Sequence, residues 1–254
     1  MSQSPPRITD AERRARLAVR HHLTPASYAA DVTTAARSLI GLHSTDPATV
    51  YLSAWARVGD ISRADVDAAL YESRGVLKHL AMRRTVWALA TDLVPVVQVA
   101  ASDAIAATER RRLARDLERS GVTDDGAGWV ARAEREAMAA LEELGPSLGR
   151  ELSRAVPMLR TKITGGSLAN PQQIGVVTRV CTILSASGQA TRGTAGGAWY
   201  DRLPRWVRMQ DWVPEVTEQP PPTPAAARGE LARRWLAAFG PASFDDLTWW
   251  TGWT

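Results

Sequence analysis

Ile40-Gly41-Leu42-His43-Ser44-Thr45-Asp46-Pro47 is the stretch on which the reading of this chain turns. It lies between two helical patterns. Proline biases the residue before it away from the α region, so Asp46-Pro47 marks a break. The spacing predicts His43 and Thr45 at the end of one helix and the mouth of the next, where side chains can point into a groove. A lone histidine near a helix end is also a common cap or surface residue. Asp46 reads most simply as the cap of the following helix and is a rival base to His43.

Outward from this stretch, Arg7 to Leu23 reads as a helix, with Thr9 as N-cap and Glu12 as its capping-box partner. Ala30 to Leu42 is a second, with Val32, Ala35, Ala36, Leu39 and Ile40 on one face. Thr49 to Val58 is a third. Ser62 to Ser73 is a fourth, capped by Ser62 with Asp65 at N3. Val76 to Leu89 then switches to short apolar runs around Met82-Arg83-Arg84, a β-hairpin with a basic tip. Short helices followed by a hairpin is the order of a winged helix-turn-helix.

That order recurs. Asp103 to Arg119, Trp129 to Leu144 and Ser147 to Pro157 read as helices. A Gly-containing loop follows from Ile163 to Asn170. Pro171 to Ala186 is a helix with proline at its first position, and Gly188 to Trp212 is a longer wing. Pro220-Pro221-Pro222 and Pro224 stiffen a linker. The expected fold is mainly α with small β-hairpins, built as tandem winged helix-turn-helix modules. The modules are residues 1–100 and 101–213, then a Pro-rich linker over 214–224, then the start of an incomplete third module over 225–254. Trp249, Trp250 and Trp253 cannot be buried by their own segment. They are expected either to dock on the second module or to be covered by further chain, so the sequence reads as truncated.

At 254 residues the chain can bury a sizeable core. No apolar run is long enough to span a bilayer, and Met1 to Pro6 has no apolar signal region, so no membrane partner is expected. Cys181 is the only cysteine, which excludes an intrachain disulfide. A cytoplasmic, nucleoid-associated location is expected. The net charge of +4 and pI of about 9.7 permit a polyanionic partner. Lys78 and Lys162 are the only lysines; the remaining cations are arginines, whose planar fork suits phosphates and base edges. A GC-rich genome would give the same bias.

His21, His22, His43, His79 and Cys181 have no zinc-like spacing, so no metal is expected. No nucleophile elbow, Walker loop or dinucleotide fingerprint is present, and no cofactor is expected. A Schiff-base reaction would need an amine, yet neither lysine lies beside His43. The helix Ser62 to Ser73 carries Arg63, Asp65, Asp67 and Glu72, too acidic for a good major-groove reading head. The helix from Pro171 carries Gln172, Gln173, Thr178 and Arg179, residue types suited to base edges.

Several of these segments match one known family. Gly41-Leu42-His43-Ser44-Thr45-Asp46-Pro47 with Tyr51-Leu52-Ser53-Ala54-Trp55-Ala56-Arg57 resembles the first winged-helix module of the AlkZ/YcaQ-type bacterial DNA glycosylases. Thr9 to Leu17, Ala81 to Trp87, Thr178-Arg179-Val180 and Phe239-Gly240-Pro241-Ala242 agree, in order, over nearly the whole chain. That family carries Gln-aliphatic-Gln or Gln-aliphatic-Asp after the Gly-Leu; here the triplet is His43-Ser44-Thr45. The resemblance implies a monomeric, monofunctional DNA glycosylase that hydrolyses the N-glycosidic bond of alkylated, cationic purines in double-stranded DNA. His43 then takes the water-activating place, Thr45 orients the water, and Ser44 fills the aliphatic slot. Imidazole suits that task because it ordinarily titrates nearest neutrality. Arg83, Arg84, Arg179 and Arg192 are the expected DNA contacts. The alternative is a non-catalytic tandem winged-helix DNA-binding protein, a regulator or damage binder, which loss of the family's glutamine or aspartate favours.

Overall fold

The computed structural model describes residues 8–167, 170–195 and 197–253. Arg7, at the start of the expected first helix, and residues 168–169 of the expected loop lie outside them. Thr9 caps α1 (Asp10–Arg20) by accepting the Glu12 N–H at 3.2 Å. Glu12 does not close a capping box; its carboxylate pairs with Arg16 one turn on.

The second helix is shorter than its spacing predicts. α2 (Val32–Ser38) stops, Ile40 takes a left-handed backbone (φ 68°), and Gly41–His43 forms β1. His43 therefore lies on a strand and not at a helix end. The left-handed turn sends Leu39 and Leu42 into one core and Ile40 into another, a division a continuous helix could not make. Gly41 is needed for close approach: a Cβ there would lie 2.6 Å from Leu89 Cδ2.

Asp46 caps α3 (Pro47–Trp55) by accepting the Ala48 N–H at 3.1 Å. The Ser62–Asp65 capping box starts α4 (Arg63–Asp67), which continues through a π turn to Glu72. β2 (Val76–Ala81) and β3 (Thr85–Ala90) form the expected hairpin, and β1 adds to it in the order β1-β3-β2. Alternate residues point to opposite faces. Leu42, Val76 and Ala88 pack on α2 to α4, whereas Leu77, Ala81 and Leu89 join a second core.

α5 (Val94–Val97) runs through a π turn at Gln98–Ser102 into α6 (Asp103–Arg119). The expected module boundary at residue 100 thus falls inside one helical run. α7 (Gly126–Leu144) and α8 (Gly149–Ala155) follow. Lys162–Ser167 and Asn170–Gly175 then pair as β4 and β5. The expected helix from Pro171 begins only at Val176, as α9 (Val176–Ala186), and Gln172 and Gln173 belong to β5. Proline biases Asn170 towards extended geometry, and a two-stranded hairpin tolerates a residue without an N–H at its edge. β6 (Ala190–Ala195) and β7 (Pro204–Arg208) form the second wing. Ser147 bridges Trp206 by two backbone bonds of 2.9 and 2.7 Å, extending that sheet. Leu113, Leu141, Leu152, Ile163 and Ile183 fill the core beneath.

α10 (Met209–Trp212) follows the second wing, and α11 (Pro214–Glu218) occupies the first part of the expected linker, so only its Pro-rich end is extended. α12 (Pro224–Phe239) and α13 (Phe244–Thr251) close the second core against the β1-β3-β2 sheet and α5. Trp250 packs on Trp87, Trp235 and Phe239, and Trp253 Nε1 donates to the Ala100 carbonyl at 2.8 Å. The tryptophan cluster therefore docks on the first unit, not the second. Among the described residues, no helix is long and apolar enough to cross a membrane.

Candidate nucleic-acid site

His43 and Thr45 are both exposed at the edge strand β1 and touch each other, Nε2 to Oγ1, at 3.3 Å. Thr45 Oγ1 also accepts the Val86 N–H at 3.3 Å, and the Ser44 N–H donates to the Val86 carbonyl at 2.8 Å. The pair is thereby held on the sheet. The His43 ring meets Trp87 edge-on at 5.5 Å, and Trp87 leans on Trp250 at 5.4 Å. Ser44 turns the other way: it is 5 % exposed, and its hydroxyl has no hydrogen-bond partner among the described residues.

Asp46 lies one residue beyond Thr45. Its carboxylate accepts from Arg202, in the wing between β6 and β7, at 2.7 Å. That bond, then the Ala48 N–H, holds the Asp46 carboxyl below its ordinary range. A carboxylate so engaged is a poor base. Trp199 of the same wing meets Tyr51 of α3 at 4.8 Å. The wing thus reaches across to the helix that follows the His43 strand. Partners 156 residues apart leave no mark in local sequence, which is why Arg202 escaped the sequence reading.

The expected DNA-contacting arginines are largely engaged within the chain. Arg83 and Arg84 form the hairpin tip, both with left-handed backbone (φ 56° and 60°). Two positive φ angles match the twist of a tight hairpin but cost non-glycine residues about 1–2 kcal/mol each. Arg83 stacks over Trp249 at 3.9 Å. Arg84 forks onto Glu109 of α6 at 3.0 and 3.2 Å, and Glu109 is only 2 % exposed. Arg179 pairs with Asp116 at 3.0 Å, fastening α9 to α6. Arg110 is bidentate to Glu134 at 2.8 and 2.7 Å. Arg192 donates to Ser185 at 2.8 Å and lies over Trp206 at 4.7 Å. Arg83 and Arg84 lead into β3, on the same hairpin arm as Val86 and Trp87; Arg179 and Arg192 belong to the second unit. Among the described residues, no three His, Cys, Asp or Glu side chains are placed to hold a metal.

A family model described as DNA glycosylase AlkZ-like matches residues 36–254, which includes β1, the His43 site and both wings. Among solved structures, the Streptomyces sahachiroi DNA glycosylase AlkZ is similar in fold, with a TM-score of 0.64 at 18% identity. The match covers 94% of this chain and 64% of that one, so the chain spans less than two thirds of that protein's length. No curated protein matches. With the family model covering far more than half of its residues, the chain belongs to the AlkZ-like DNA glycosylase family.

Proposed function

We propose that this protein is a monofunctional DNA glycosylase that hydrolyses the N-glycosidic bond of alkylated, cationic purines in duplex DNA. The observation that carries the proposal is the exposed, hydrogen-bonded His43–Thr45 pair in a chain of this family. The scaffold is two winged-helix modules. In support, α2 precedes β1, α3 and α4 lie between β1 and β2, and the strand order is β1-β3-β2. The second unit follows the same plan, with the Ser147–Trp206 bridge in the place of β1 and the β4–β5 hairpin inserted before α9.

A cationic purine is already a good leaving group, so the enzyme's task is to hold the extruded nucleotide and deliver a water. Thr45 Oγ1 accepts the Val86 N–H. If it also accepts the His43 Nε2–H, the imidazole lone pair lies on Nδ1, free to take a proton from water. Thr45 then acts by fixing the tautomer and orientation of the ring, because a water on Nδ1 lies on the far side of the imidazole from its hydroxyl. The water oxygen bonds to C1′, the C1′–N bond breaks, and the purine leaves with the bonding pair. Lys78 does not compete as a nucleophile. It is buried and its ammonium donates to the Tyr71 hydroxyl at 2.6 Å.

The second reading is a non-catalytic damage binder. The Asp46–Arg202 bond favours it, because that carboxylate is drawn away from supporting the imidazole. Incubation with a duplex containing 7-methylguanine, with mass detection of free base, separates the two. The proposed function predicts time-dependent base release. Binding without release supports the second reading, and absence of both overturns each.

A further inference from the structure

One pocket in the second unit is lined by three arginines, and among the described residues only one of them, Arg202, is paired with an acid. It occupies about 470 Å³ between α8, α9 and the β6–β7 wing, within the roughly 300–1,000 Å³ of small-ligand sites. Arg192 and Trp206 form its inner wall, Arg150 and Arg202 lie at its margin, and Thr178 and Thr182 supply hydroxyls from α9. Arg192 is largely buried and, among the described residues, makes one side-chain hydrogen bond, to the neutral Ser185 hydroxyl. No carboxylate pairs with it among the described residues, unlike Arg84, Arg110 and Arg179. Arg150 is exposed and has no ion pair among the described residues. Its neighbour Glu151 is bonded to the Leu148 N–H and to Arg205 and does not line the pocket.

The imbalance is felt nearby. Burial, unrelieved by an acid, lowers the Arg192 pKa to about 10. Arg192 also adds to the burial that lowers Lys78 to about 8 and His79 to about 4. A buried guanidinium facing an open pocket, with two more at the margin, is a chemical match for a phosphate group. The pocket also adjoins the His43 site, because Arg202 reaches Asp46. Nη2 is the Arg202 nitrogen that holds Asp46, which leaves its other N–H groups for a second acceptor.

We propose that this pocket binds a phosphate group through Arg192, Arg150 and Arg202, and that it seats a backbone phosphate of the DNA strand worked on at His43 and Thr45. The second half rests on the proposed function; the first does not.

The test has two arms. In the first, inorganic phosphate and then a deoxynucleoside monophosphate are titrated into the isotope-labelled protein. The amides of Thr178 and Thr182 and the Arg192 Nε–H are expected to shift with both, and Arg192→Met is expected to abolish the shifts. Absence of shifts at these groups overturns the pocket. In the second, duplex binding is followed against salt for the parent, Arg150→Ala and Arg192→Met, the last checked for folding by circular dichroism. Each phosphate contact contributes about 0.9 to the log–log salt slope. Arg150 has no ion pair to lose among the described residues, and the slope of Arg150→Ala is expected to fall by about that amount. An unchanged slope in both variants overturns the DNA assignment. If the parent does not bind DNA while the phosphate shifts persist, the proposed function fails and the phosphate pocket stands.

Discussion

His43, Ser44 and Thr45 alternate out, in and out where one short strand ends, and that alternation separates chemistry from packing. Ser44 occupies a slot that is aliphatic in the family, and here it buries a hydroxyl without a hydrogen-bond partner among the described residues. Removing an unpaired buried polar group relieves its desolvation cost. Ser44→Ala is expected to raise the unfolding free energy by about 1 kcal/mol in urea melts; a loss of that size would mean the hydroxyl is bonded. His79 lies in the same cross-strand row as His43 and Trp87 but is 0 % exposed. Ser102 donates to the Leu80 carbonyl at 2.8 Å, so it receives the His79 Nε2–H at 3.1 Å, and the ring is neutral. Burial, with Arg192 adding to it, lowers its pKa from 6.5 to about 4. As pH falls below 6.5 the unfolded chain takes a proton that the folded chain refuses until about pH 4. Stability therefore falls with pH across that window and the loss levels off below it. Between pH 7 and pH 5 this one group is expected to cost about 2 kcal/mol. Urea melts at the two pH values should show a smaller difference in His79→Gln than in the parent; equal differences would assign the acid sensitivity elsewhere. His43 and Thr45 could be picked out because the triplet is local. His79 and Arg192 could not, since their burial depends on strands and helices that meet only in the fold.

Among the elements, the hairpin tip shows how charge is spent inside this fold. Arg83 and Arg84 look like a free basic wing tip in sequence, yet they are bound by Trp249 and Glu109. These contacts hold two left-handed residues in place and tie the sheet to α6. Arg84→Ala is expected to destabilise by about 1 kcal/mol, because Arg112 at 3.1 Å keeps Glu109 partly paired and the Arg84 side chain is itself half-exposed. Equilibrium unfolding checks this, and a neutral result would release Arg84 for a role outside the chain. Helices with side-chain caps at Thr9, Asp46 and Ser62 are legible in the sequence, since a cap is a local signal. β1 was hidden inside an apparent helix because the left-handed turn at Ile40 has no glycine to announce it. The β4–β5 hairpin was hidden because Pro171 fits the first turn of a helix as well as an edge strand. The first part of the linker forms α11, with Pro214 in its first turn, where a missing N–H costs nothing.

Across the whole molecule, two units are joined by the α5–α6 helical run and by contacts that no window of sequence contains. The second wing reaches α3 through Trp199 and Arg202, and the C-terminal helices cover the sheet that bears His43. The recurring helix-then-hairpin order is legible in the sequence; the way the pieces meet is not. What distinguishes an excision enzyme from a binder in this architecture is whether His43 accelerates bond cleavage independently of DNA affinity. Single-turnover base release from a 7-methylguanine duplex, measured for the parent, His43→Ala and Thr45→Val beside their DNA affinities, addresses that directly. General-base help is worth about 10²–10⁴-fold. The proposed function predicts that His43→Ala slows release by a factor in that range, that Thr45→Val slows it less, and that both bind DNA as the parent does. Release from His43→Ala at the parent rate would contradict it.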